Sequence, residues 1–212
     1  MSLDPMKLLH GGIFVPSQEP GNQWLLVCLH GSGGSSKDFE ELETIFKIPT
    51  MNYLYLNGPI RDYNGFSWYS SMESREEAFA TVADALDYAA SKGYASERIF
   101  LLGFSQGAAL TVEFGVRYSK LLAGYISISG RIENLPGLLA RGNERIIKRG
   151  RWLVTHGRND YNLSSEVMRG QVEKMREGGF RVEFREYEKI HEFDAKYELP
   201  DIREWILQVM AD

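Results

Sequence analysis

Along the 212-residue chain, seven segments of strand length take turns with five helical ones, and this alternation constrains the fold more than any other feature. "GGIFVP", "WLLVCLH", "NYLYLN", "RIFLLG", "LAGYISISG", "RWLVTHG" and "FRVEFREYE" read as strands. "SKDFEELETIF", "SREEAFATVADALDYAASKG", "QGAALTVEFGVRYS", "SSEVMRGQVEKMREGG" and "PDIREWILQVMAD" read as helices. Strands interleaved with helices in this way predict an α/β fold, a mostly parallel sheet with helices on both faces. "WLLVCLH" is continuously apolar, as expected of a strand buried on both sides, whereas "GGIFVP" reads as an edge strand ended by Pro16. Ser74 with Glu77 three residues on marks a helix start, Gly93 a stop, and Pro200 fits the first turn of the last helix. With no internal repeat, low-complexity tract or linker, residues 1–212 read as a single domain. In such sheets ligands bind beyond the carboxyl ends of the strands, so chemistry is expected in the loops that follow them.

Charge and composition narrow the partners. A net charge of −5 leaves no electrostatic footprint for nucleic acid. The basic run from Arg141 to Arg151 reads chiefly as a solvated loop and helix face, with lipid or acid binding as the lesser reading. Cys28 is the one cysteine, so no internal disulfide can form and nothing points to an oxidising compartment. Its place inside "WLLVCLH" predicts a buried, inert thiol. No apolar run approaches the roughly 18 residues of a membrane helix, and the first twenty residues lack the cleavage site of a signal peptide. A cytoplasmic location is therefore expected; Met6 offers a native start, with residues 1–5 as an appended leader.

The stretch "LLGFSQGAAL" sets Ser105 between Gly103 and Gly107, directly after one strand and before a helix. A turn this tight crowds the backbone, and glycines on either side relieve clashes that a Cβ would create. The serine hydroxyl then projects above the sheet edge, with the helix N-terminus favouring negative charge beside it. This is the pattern of a nucleophile elbow.

A serine hydroxyl needs a base to take its proton and a third group to orient that base. The elbow predicts the chain order Ser, acid, His. Two histidines follow Ser105. His191 lies in the loop after the last strand, where a base can reach across the sheet, whereas His156, at a strand end, reads as structural. Asp160 sits just beyond the penultimate strand and is the expected acid. Asp194 and Glu192 are rivals placed too close to His191 in the chain. Ser105, Asp160 and His191 are therefore the expected triad. Acyl transfer also needs donors for a developing oxyanion. The backbone N–H of Gln106 is expected to supply one. The N–H of Ser32, in the glycine-rich "LHGSGGSS", is expected to supply the other. A phosphate-cradling loop is disfavoured there because no G-K-[ST] follows.

Taken together, "LHGSGG", "GFSQGA", "THGRND" and "IHEF" resemble the phospholipase/carboxylesterase family of α/β-hydrolases, which includes acyl-protein thioesterases and small bacterial carboxylesterases. The resemblance implies a single α/β-hydrolase domain and a Ser-Asp-His esterase with neither metal nor organic cofactor. Carried onto matching positions, it supports Ser105, Asp160, His191 and the amides of Ser32 and Gln106. The chain departs from the family pattern at Ser32-Gly33-Gly34, at Trp68-Tyr69-Ser70 and at Ile190, so a carboxylesterase is the expectation ahead of a thioesterase. Phe66, Trp68 and Tyr69 are candidates for an acyl pocket, packing of the loop onto the core being the equal alternative. Residues 131–151 are a candidate partial cover. The expected partner is a small-molecule ester or thioester. Acyl-protein thioesterase or lysophospholipase activity is the alternative, a peptidase shares the chemistry, and in another class stands an α/β-hydrolase-fold binding protein with little turnover.

Overall fold

The computed structural model describes residues 2–71, 73–132 and 134–212. In chain order its elements are β1 (Gly12–Val15), β2 (Trp24–Leu29), α1 (Leu42–Phe46), β3 (Met51–Leu56), β4 (Ile60–Arg61), β5 (Phe66–Ser67), α2 (Ser74–Ser91), β6 (Ile99–Phe104), α3 (Gln106–Arg117), β7 (Gly124–Ile128), α4 (Leu135–Arg141), α5 (Glu144–Arg149), β8 (Arg151–Gly157), α6 (Ser165–Glu177), β9 (Arg181–Tyr187) and α7 (Glu198–Ala211). Seven strands make one sheet in the order β1-β3-β2-β6-β7-β8-β9. β1 runs antiparallel to β3 at the edge, and the other neighbours are parallel. The mostly parallel sheet expected from the sequence is therefore what forms.

Side chains alternate across a strand, and the two faces carry separate cores. Leu25, Val27 and Leu29 of β2 and Leu101 of β6 meet Val82 and Leu86 of α2, Leu110 and Phe114 of α3 and Val172 of α6. Leu26 and Cys28 of β2 and Phe100 and Leu102 of β6 meet Phe46 of α1 and Ile202, Trp205 and Ile206 of α7. Helices thus cover both faces. Cys28 is fully buried and its thiol is pushed well up by burial, the inert state expected.

Registration fixes where the site lies. Leu29 pairs with Gly103, Phe104 with Ile128, and Ile128 with Thr155. The carboxyl ends of four parallel strands therefore stand within a few residues of one another, and the loops that follow Leu29, Phe104, Ile128 and Gly157 emerge along one edge.

Three local expectations change. Ser74 is the first residue of α2 rather than its cap; its Oγ accepts the N–H groups of Ser70 and Ser71, serving the preceding turn. The predicted helix "SKDFEELETIF" is broken, because Glu41 adopts φ +77° between a 3-10 turn at Ser36–Phe39 and α1. The stretch between β3 and α2 contains the two-residue ribbon β4–β5, unseen in the sequence. The segment that is the candidate partial cover contains α4 and α5, with Ile146 and Ile147 buried in the core and the Asn143 N–H donating to the Val116 carbonyl of α3.

Candidate active site

Ser105 has φ +52° and ψ −113°, a left-handed region that non-glycine residues enter at a cost of order 1–3 kcal/mol. Its N–H donates to the Ile128 carbonyl at 2.9 Å, and its carbonyl accepts from Ala109 at 3.1 Å. The chain is thus held from the neighbouring strand while α3 starts one residue later. A Cβ on Gly107 would press on the Leu29 and His30 carbonyl oxygens, and one on Gly103 on the Gly107 carbonyl and Thr111 Oγ1. Both flanking glycines are therefore demanded by the packing of β6 and α3 against each other and against β2.

At the apex of this turn Ser105 Oγ lies 2.9 Å from His191 Nε2, while His191 Nδ1 lies 2.7 Å from Asp160 Oδ2. The three residues come from the loops after β6, β9 and β8. Asp160 is buried, and its other oxygen accepts the N–H groups of Asn162 and Leu163 at 3.0 and 2.9 Å. Burial alone would raise its carboxyl pKa, but the His191 and Leu163 hydrogen bonds and the nearby imidazoles outweigh it and hold the carboxyl below its ordinary value. Asp160 is thus an anion at neutral pH, so His191 Nδ1 donates to it and Nε2 is left facing the hydroxyl. An imidazole so placed can take a hydroxyl proton and return it to a leaving group. Phe104 packs under the ring, with centroids 5.2 Å apart.

The rival residues are placed elsewhere. Asp194 accepts the N–H groups of Lys196 and Tyr197, the carboxylate serving its own turn rather than the imidazole. His156 is buried, donates from Nε2 to the Leu163 carbonyl at 2.7 Å, and is held neutral by burial. Its Nδ1 has no hydrogen-bond partner among the described residues. It stands 3.6 Å from Asp160 Oδ2, behind the carboxylate rather than in front of the serine.

The glycine loop after β2 lies directly against the serine, since a Cβ built on Gly31 would come 3.4 Å from Ser105 Cβ. His30 shapes this loop: its Nδ1 donates to the Gly31 carbonyl at 2.6 Å, and its Nε2 accepts the Gly58 N–H at 3.0 Å. Ser32 Oγ meets Ser67 Oγ at 3.0 Å, and Gly33 N–H donates to the same hydroxyl. The backbone N–H groups of Ser32 and Gln106 make no hydrogen bond among the described residues, which leaves both available to an incoming oxygen. The Gln106 side chain acts as a clamp instead, Oε1 accepting from Trp68 N–H and Nε2 donating to the Tyr69 carbonyl, each at 2.8 Å.

The three aromatic candidates separate. Trp68 is 0% exposed and belongs to the core, its Nε1 donating to the His30 carbonyl at 2.8 Å. A side chain with no accessible surface cannot wall an open pocket, so Trp68 is a support for the loop rather than an acyl contact. Tyr69 is half-buried beneath the Arg75 guanidinium, 3.9 Å from its ring. Phe66 is half-buried beside the glycine loop, its N–H donating to the Gly34 carbonyl at 2.6 Å.

Sequence reasoning missed several supporting residues. The His30 and Gln106 side chains have roles visible only once loops distant in sequence meet. Lys189 and Glu198, which frame the His191 loop, are buried and paired at 2.6 Å. Two ionisable residues nine positions apart carry no sequence signal for such a pair. Among the described residues no group of three or more His, Cys, Asp or Glu side chains is arranged to hold a metal ion, and no helix is long and apolar enough to cross a membrane.

The sheet topology, the strained serine at a strand-to-helix elbow, and an imidazole delivered from beyond the last strand define an α/β-hydrolase. Residues 10–210 match the family model described as Phospholipase/Carboxylesterase, and the chain belongs to that family of hydrolytic enzymes. It is 27% identical over 202 residues to Carboxylesterase SOBER1 of Arabidopsis thaliana, covering 85% of this chain and 88% of the relative. The crystal structure of that plant protein superimposes with a TM-score of 0.81 at 25% identity, covering 88% of this chain and 99% of the other. Acyl-protein thioesterase 1 of Eremothecium gossypii is 27% identical over 128 residues, 51% of this chain and 54% of that protein. The crystal structure of esterase PE8 shares the fold, with a TM-score of 0.84 at 21% identity over 93% of this chain and 98% of the other. The chain is a carboxylesterase-type hydrolase.

Proposed function

We propose that this enzyme cleaves carboxylic esters of small molecules through an acyl-enzyme on Ser105. The observation that carries the reading is the His191 imidazole, bonded at one nitrogen to Asp160 and at the other to Ser105 Oγ. Ser105 attacks the ester carbonyl while His191 takes its proton. The oxyanion accepts the N–H groups of Ser32 and Gln106. His191 then protonates the departing alcohol, leaving the acyl group on Ser105. A water molecule, deprotonated by His191, attacks the acyl-enzyme; the acid departs and Ser105 regains its proton. Asp160 holds the imidazole in the tautomer that presents Nε2 to the serine. Phe66, beside the glycine loop, is the proposed aromatic contact for the acyl group.

Thioesters react by the same steps, and the similarity to Acyl-protein thioesterase 1 makes them the second substrate class to examine. The test is a panel of p-nitrophenyl esters and acyl thioesters, from acetyl to palmitoyl, assayed with the native protein and Ser105→Ala. Turnover of esters that vanishes in Ser105→Ala is expected. A binding protein would turn over none of the panel, and turnover retained in Ser105→Ala would place the chemistry elsewhere.

A further inference from the structure

The sheet has a second edge, opposite the serine, where the parallel strands begin. Trp24 of β2, Ala123 just before β7, Arg151 of β8 and Arg181 of β9 stand there together with Arg98, just before β6, and all five line one hollow of about 520 Å³. That volume lies in the usual range for small-molecule sites, roughly 300–1,000 Å³. The six residues of β6 separate it from Ser105 by about 20 Å of strand, so it is no part of the esterase site.

Its charge is one-sided. Five arginines, Arg98, Arg145, Arg149, Arg151 and Arg181, face two carboxylates, Glu97 and Asp212, in a chain whose net charge is −5. Arg151 is already engaged, with the Val209 carbonyl at 3.1 Å and the Asp212 carboxylate at 3.4 Å. Arg98 lies 5.9 Å from the centre of the Trp24 ring. The side chains of Arg98, Arg145, Arg149 and Arg181 have no ion pair or hydrogen bond among the described residues. Arg145 and Arg149 stand one turn apart on α5, and Arg98 and Arg181 join them from the turn before β6 and the start of β9. Like charges gathered in a concavity repel one another and focus the field on whatever anion enters. The guanidinium fork is suited to bidentate contact with phosphate oxygens. The walls between the arginines are apolar, with Trp24, Leu121 and Met210 among them.

We propose that this hollow binds a small organic phosphate, a molecule with a phosphate or diphosphate group for the arginines and an apolar portion for the walls. The hollow is half-open, and Arg98, Arg145, Arg149 and Arg181 are exposed around it; basic groups confined to one concavity favour a small molecule over a polymer, which would call for an extended basic stripe. Binding here is independent of the reading of Ser105.

The test titrates inorganic pyrophosphate into the native protein by calorimetry at constant ionic strength. Parallel titrations use Arg145→Gln/Arg149→Gln, Arg181→Gln and a control, Arg169→Gln, outside the hollow. Thermal melts verify that each variant is folded. A single saturable site weakened at least about tenfold in both hollow variants, and unchanged in the control, is expected; tenfold is the scale of one lost charge-assisted hydrogen bond. Ester hydrolysis should be unaltered in all three variants. No binding by the native protein, or equal binding by the hollow variants and the native protein, overturns the proposal. A further arm presents phosphatidylcholine vesicles containing phosphatidylserine. Vesicle capture through the same arginines, without pyrophosphate binding, overturns it in favour of a lipid surface.

Discussion

Lys189 and Glu198 form an ion pair 2.6 Å long with both side chains all but inaccessible to solvent, one on each side of the loop that carries His191. Lys189 Nζ also donates to the Glu192 carbonyl at 2.8 Å, and Glu198 Oε2 accepts the Asp194 N–H at 3.2 Å. The end of β9 is thereby tied to the first turn of α7 across the base of the loop. Burial lowers the lysine pKa, with Glu198 opposing that shift.

Removing one partner strands a buried charge, a change that typically costs about 3–5 kcal/mol. Lys189→Met is therefore expected to lose stability on that scale in urea unfolding and to lower turnover with it. Lys189→Met/Glu198→Leu, which strands no charge, should recover much of the stability. If Lys189→Met is as stable as the native protein, the pair does not hold the loop.

Asp160 and Asp194 can be told apart by substitution. Asp160→Asn keeps the shape of the site but favours the wrong imidazole tautomer, an exchange that lowers kcat about 10⁴-fold in a model triad. Asp194→Asn should change kcat little, because its carboxylate bonds only the backbone of its own turn. Steady-state kinetics on one ester, with melting curves to verify folding, compares the two. The reverse ranking would mean the orienting acid is Asp194.

Ser32 separates side chain from backbone. Its hydroxyl bonds Ser67 and its N–H is unengaged, so Ser32→Ala should keep most activity. Ser32→Pro deletes the N–H, and the loss of one oxyanion donor lowers kcat about 10²–10³-fold. Melting curves again accompany the kinetics. Equal losses in the two variants would assign the effect to the hydroxyl, and full activity in a folded Ser32→Pro would remove this N–H from the mechanism.

Stability should fall on mild acidification because of two histidines other than His191. Burial lowers the pKa of both His30 and His156 in the folded protein, whereas in the unfolded chain each titrates near its ordinary value of about 6.5. Below that value the unfolded chain takes up protons that the native state refuses, so stability decreases as pH falls. The slope is at most about 1.4 kcal/mol per pH unit for each histidine. Asp160, held below the usual carboxylate range, adds its effect only under about pH 4. Urea midpoints measured from pH 8 to 5 should be flat above 7 and decline below 6.5, with a shallower decline in His156→Gln. A flat profile down to pH 5 would contradict the neutral buried state of both rings.

The parts of the site legible in sequence are those that sterics or chain order force. Gly103 and Gly107 announce the elbow because backbone oxygens occupy the space of their missing side chains. Asp160 and His191 follow from their places after β8 and β9. In sequence Trp68 stays open between pocket and core, because an aromatic residue in a polar loop gives no sign that its indole will bond the His30 carbonyl inside the core. Ser74 has the residue type of a cap, yet its hydroxyl is taken by the turn before it. The break at Glu41 has no glycine or proline to announce it. The Lys189–Glu198 pair and the Gln106 clamp are tertiary contacts, fixed by packing rather than by spacing.

The most direct measurement is covalent capture of the nucleophile. A fluorophosphonate probe reacts with a serine whose proton is drawn off by a base and whose oxyanion donors are in place. Intact and peptide mass spectrometry should find one adduct, on Ser105, absent from Ser105→Ala and strongly slowed in His191→Ala. An adduct on another serine, or labelling that persists in Ser105→Ala, would contradict Ser105 as the nucleophile.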